Sequence, residues 1–141
     1  MVGFIKHRPT WGNVLQQGVN MIILAFSDKT SKILPRIICR HFRHVAVIDV
    51  QKNTLVLYQF IRHRHIEIIR LKWRDLKILK QHGWKFVLVA RPLPCDIMTH
   101  RARTCVTFAK YAIGMHDVHI QTPDGLYKKL KIRRTADFLV I

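Results

Sequence analysis

HVAVIDVQKNTLVLYQF, residues 44–60, decides the fold, because two β-rich runs flank a short polar turn. The first run is His44-Val-Ala-Val-Ile-Asp49 and the second is Thr54-Leu-Val-Leu-Tyr-Gln-Phe60. Both favour a pleated, half-buried strand, and Val50-Gln-Lys-Asn53 between them reads as a turn ending in Asn. A hairpin centred on Gln51-Lys52 pairs Val50 with Asn53, Ile48 with Leu55, Ala46 with Leu57 and His44 with Gln59. Alternation then gathers His44, Ala46 and Ile48 on one face, with Gln59 across from His44. Face assignment depends on register, since a one-residue slip turns every side chain over.

Outward from the hairpin, the chain alternates short apolar runs with helical spacing. Residues 20–27 (NMIILAFS) form a short apolar run ending at Ser27-Asp28 and read as a buried strand. Residues 65–71 (HIEIIRL) and 85–90 (KFVLVA) read as further strands, the latter ended by Arg91-Pro-Leu-Pro94. Residues 73–82 have helical spacing at Leu76 and Leu79, with Ile78 nearby, and stop at Gly83. Residues 29–43 carry Pro35 and are expected to hold a helical turn or two. Residues 1–19 are weakly patterned and read as an arm or loop, leaving 20–141 as a single domain.

The C-terminal third is organised by helix caps. In TCVTFAKYAIG, residues 104–114, Thr104 suits the N-cap and Gly114 the stop, which makes Cys105 the first helical residue. Thr122-Pro123-Asp124 opens a second helix in the same manner, running to about Lys131. Residues 138–141 (FLVI) read as a last strand or a docked tail. The expected fold class is α+β. An antiparallel sheet of four to six strands packs against a helix that starts at Cys105, on the face that carries His44.

Composition bounds the function. A chain of 141 residues with 49% hydrophobic content can bury a real core. Its longest apolar runs are far too short to cross a bilayer, so no transmembrane segment is expected. No long apolar stretch with a small-residue cleavage site follows the first residues, so no signal peptide is expected. Twenty-five Lys and Arg against 8 Asp and Glu leave a net charge of +17, which attracts polyanions. Cys39, Cys95 and Cys105 are too few and too odd in number for a disulfide framework.

Cys105, His44 and Gln59 form a chemically coherent set. A helix N-terminus exposes backbone N–H groups whose partial positive charge favours a thiolate and can stabilise an oxyanion. An imidazole on a nearby strand can take the thiol proton and later return it to a leaving group. A polar residue beside the imidazole fixes its tautomer. A lone cysteine at a helix start is more often structural, and nine histidines allow chance pairings.

FRHVAVID, a polar strand residue, TCVTFAKYAIG and TPDGLYKKL together resemble the permuted papain-like proteins. These comprise NlpC-type cell-wall hydrolases, lecithin–retinol-acyltransferase-like enzymes and small proteins of tailed bacteriophages. The resemblance covers roughly residues 20–131, and the TP..LY..L segment is most similar to the phage members. It implies His44 as base, Cys105 as nucleophile and Gln59 as the orienting residue. It implies cleavage of an amide bond in peptidoglycan peptides, or transfer of another acyl group, without a cofactor. It also implies a place in the virion, as a tail or ejected component among phage structural proteins, or at the host envelope during infection. Ala46 stands where many NlpC-type members have Gly. Thr104 stands where acyltransferase-like members tend to have Asn. A non-catalytic member on the same scaffold, binding partner proteins or DNA through its basic surface, is the alternative.

The remaining signals are weaker. His63 and His65 have an H-x-H spacing, but no carboxylate or cysteine nearby completes a metal set, so no metal is expected. His41 competes with His44 as the base from a basic segment before the strand. His116 and His119 read as loop residues. Cys39 reads as semi-buried, and Cys95 sits in a Pro-rich turn. Lys128, Lys129, Lys131, Arg133 and Arg134 form the densest basic cluster and the candidate polyanion site. No zinc-finger spacing or RNP-like strand accompanies it, so any nucleic-acid binding is expected to be non-specific.

Overall fold

The computed structural model describes residues 21–27, 44–51, 54–62, 65–99, 102–132 and 138–140. The expected arm over 1–19 and helical turns over 29–43 lie outside the described residues, as do Cys39, His41, His63, Arg133 and Arg134. In chain order the elements are β1 (Met21–Ser27), β2 (His44–Val50), β3 (Leu55–Arg62), β4 (His65–Leu71), α1 (Trp73–Gln81), β5 (Lys85–Val89), α2 (Cys105–Ile113), α3 (Pro123–Ile132) and β6 (Phe138–Val140). The fold is α+β. One six-stranded sheet has the order β4-β3-β2-β1-β5-β6, with every neighbouring pair antiparallel.

β1 and β2 are central and buried on both faces, which explains their near-continuous apolar runs. Ile22, Leu24 and Phe26 with Val45, Val47, Val87 and Val89 meet Val106, Phe108, Ala109, Ala112 and Ile113 of α2 and Leu126 and Leu130 of α3. On the opposite face, Ile23, Ala25, Ala46, Ile48, Leu57, Phe86 and Leu88 meet Leu76 of α1, with Trp73, Leu79 and Trp84 half-buried beside it. The domain thus has three layers, α2 and α3 over one face and α1 over the other.

The hairpin register differs from the expected one. Gln51 N–H donates to the Thr54 carbonyl at 2.9 Å, and the ladder runs Val50↔Leu55, Ile48↔Leu57 and Val47↔Tyr58. The turn is therefore centred one residue later than Gln51-Lys52, and every partner moves by two. Side chains at the mouth favour this closure: Gln51 Nε2 donates to Asp49 and Thr54 Oγ1 to Gln51 Oε1. A shift of two preserves the faces but moves Gln59 out of line with His44.

Candidate active site

α2 is built to hold its first turn. Thr104 Oγ1 accepts from Thr107 N–H at 3.1 Å, and Thr107 Oγ1 accepts from Thr104 N–H at 2.9 Å. This reciprocal cap satisfies two backbone donors that would otherwise be orphaned. Cys105 is the first helical residue and is half-buried. At the other end Gly114 takes φ 70°, and a Cβ there would overlap the Arg91 guanidinium. Arg91 Nη1 donates to the Ile113 carbonyl at 2.7 Å.

That last contact gives α2 its direction. Arg91 follows β5, whose final residue Val89 pairs with Ile22, itself paired with Asp49. The C-terminus of α2 therefore lies at the Asp49 end of the sheet. α2 packs chiefly on β2, the strand that begins with His44.

The faces of α2 and His44 differ. α2 covers Val45 and Val47, whereas Ala46 and Ile48, which have the parity of His44, belong to the α1 side. The expectation that the Cys105 helix covers the face carrying His44 is corrected accordingly. His44 is half-buried, its Nε2 is shielded from solvent, and its ladder partner on β1 is Ser27. Gln59 is half-buried and pairs with Glu67 of β4. Continuing the β2–β3 register puts it beside Ala46, diagonal to His44 instead of directly across.

Sequence reasoning missed two polar residues here. Ser27 is 2% exposed and shares the parity of Ile23 and Ala25; the signal was one hydroxyl closing an otherwise apolar strand. Lys110, in the middle of the apolar run of α2, is 8% exposed. Its Nζ donates to the carbonyls of Asp117 at 2.9 Å and Ile120 at 2.7 Å, tying the α2–α3 loop to the helix. Burial holds the Tyr127 hydroxyl above its usual range, and burial followed by the Asp49 charge does so for Tyr58. Tyr127 packs edge-on against Phe26 at 5.2 Å.

The remaining candidates disperse. Cys95 is exposed in the turn after β5. His65, His116 and His119 are exposed, and among the described residues no three His, Cys, Asp or Glu side chains gather. In the basic cluster, Lys128 pairs with Asp124 at 3.0 Å, Lys129 is half-buried and Lys131 is exposed. On α1, by contrast, Arg74, Lys77 and Lys80 are exposed. Among the described residues they have no ion pair.

Comparison with protein-family models, curated proteins and solved structures finds no match. Among the described residues no helix is long and apolar enough to cross a membrane.

Proposed function

We propose that the chain is a cysteine hydrolase of permuted papain-like type, with Cys105 as nucleophile and His44 as base. The observation that supports it is the capped start of α2, which makes Cys105 the first residue of a helix that packs chiefly on β2, the strand that His44 begins. His44 would take the thiol proton as the sulfur attacks an acyl carbon. First-turn N–H groups of α2 would hold the oxyanion. The imidazolium would protonate the departing amine, and water would cleave the thioester with His44 again as base. Given the parity of His44, a Cys105–His44 contact runs around the end of β2, not across the face that α2 covers. By resemblance the substrate is an amide of a peptidoglycan peptide, and the setting a phage virion.

The second reading is a non-catalytic interaction protein on the same scaffold. Two observations favour it: the opposite faces of His44 and α2, and the exposed cations of α1. Peptide-mapped alkylation by iodoacetamide at neutral pH separates the two. Cys95 is more exposed than Cys105, so access alone would label Cys95 first. The hydrolase reading expects Cys105 to react fastest and to slow in His44→Ala. Equal, slow labelling of Cys39, Cys95 and Cys105 overturns it. Polyanion affinity that falls steeply with salt would then mark the binding role.

A further inference from the structure

α1 turns its charge outward. Arg74, Lys77 and Lys80 are exposed and stand three residues apart, while Leu76 is buried and Trp73 and Leu79 pack toward the sheet. At about 1.5 Å of rise per residue, the row spans roughly 9 Å. Asp75, the acid of this helix, is engaged in its cap, where it accepts Lys72 N–H at 2.8 Å. Acids gather on the other side of the sheet. Asp49 has the parity of Val45 and Val47, Asp96 accepts from the Tyr111 hydroxyl of α2, and Asp124 pairs with Lys128 of α3. Carboxylates therefore offset the cations of α2 and α3 more than those of α1.

We propose that the outer face of α1 binds the phosphate backbone of double-stranded nucleic acid through Arg74, Lys77 and Lys80, without reading its sequence. Three features of the face select this partner. Its cations run in one row, and a duplex carries one charge per roughly 1.7 Å of its axis, with condensed counterions that such a row releases. Trp73 at the start of α1 and Trp84 just beyond its end are half-buried beside the core, so neither is a free platform for stacking the bases of a single strand. The apolar stripe of α1 is turned to the sheet and leaves Ile78 outside, whereas an interfacial membrane helix needs an apolar face free to enter the lipid. Like charges three residues apart weaken a helix slightly, and bound phosphates relieve that repulsion. The inference deepens the interaction-protein reading and does not depend on the hydrolase reading.

Fluorescence anisotropy of a labelled short duplex, titrated with the full chain across a range of salt, tests it. Arg74→Gln/Lys77→Gln/Lys80→Gln is compared with Lys128→Gln/Lys129→Gln/Lys131→Gln, which removes the same charge from α3. Circular dichroism checks that both stay folded, and the single variant Lys77→Gln is the gentler change. The α1 triple variant is expected to weaken duplex binding more than about tenfold and to flatten the salt slope by about 2–3, and Lys77→Gln to flatten it by about 0.9. The α3 variant is expected to do less on both counts. Native-like binding in the α1 variants overturns the proposal, as does an equal or greater loss in the α3 variant. Tighter binding to phosphatidylserine vesicles, or to a single strand of the same length, with the same dependence on α1, overturns it too. If the native chain binds the duplex with a steep salt slope that the α1 changes leave untouched, this surface is refuted and the interaction reading stands. A native chain with no salt-dependent binding refutes both.

Discussion

The two faces of the sheet carry helices of opposite character. α2 buries Val106, Phe108, Ala109, Lys110, Ala112 and Ile113. α1 buries Leu76 alone and exposes Arg74, Lys77, Ile78 and Lys80. Both helices stop at a glycine with positive φ, Gly114 and Gly83, and both have a side chain bonded back to the cap. They differ in what holds them. Tertiary packing holds α2 from Val106 to Ile113. α1 is held by one stripe, and its outer face is free for solvent or a polyanion.

The sharpest way to break this contrast is to remove packing from each helix. Phe108→Ala should cost about 3–5 kcal/mol by denaturant unfolding, from lost transfer energy and the cavity left behind. Ile78→Ala, at 48% exposure, should stay within about 0.5 kcal/mol. Comparable losses would mean that α1 is as deeply embedded as α2.

Charge offers an intermediate test. Lys110→Met removes two charge-assisted hydrogen bonds and leaves the carbonyls of Asp117 and Ile120 short of a donor. It should cost about 2–3 kcal/mol, with faster amide exchange across residues 115–121. Lys80→Met should be nearly neutral to folding while weakening any polyanion binding and its salt slope. A neutral Lys110→Met would show that the loop holds itself.

Capping is the smallest effect. Thr104→Ala should destabilise by about 1 kcal/mol and slow Cys105 alkylation, because it loosens the turn that positions the thiol. Asp75→Ala should cost a similar amount by removing the carboxylate that accepts Lys72 N–H at 2.8 Å. It should leave Cys105 alkylation unaffected. If the two variants change Cys105 alike, the thiol is not governed by its own helix end.

Much of the fold was legible because local rules carry it. Apolar runs marked β1, β2, β4 and β5, and the Thr104 and Gly114 signals framed α2 with Cys105 at its start. Leu76 and Leu79 marked α1, but helical spacing cannot say how wide a face the neighbours cover, and nearby Ile78 is exposed. The hairpin was placed correctly but centred one residue early, because several polar residues between the runs could have formed the turn. That small error moved the proposed partner of His44 from directly opposite to diagonal. That Ser27 pairs with His44 could not be read from the sequence, since the β1–β2 pairing spans a long connection with no local signal.

By itself the sequence determined the elements, their caps and the position of Cys105 at a helix start, because each depends on residues a few places apart. Only the tertiary structure decided which face each helix covers and which strand residue meets His44. Alternation specifies two faces but does not label them. The label comes from where α1 and α2 bury their apolar sides, and the neighbour comes from a ladder between strands distant in the chain.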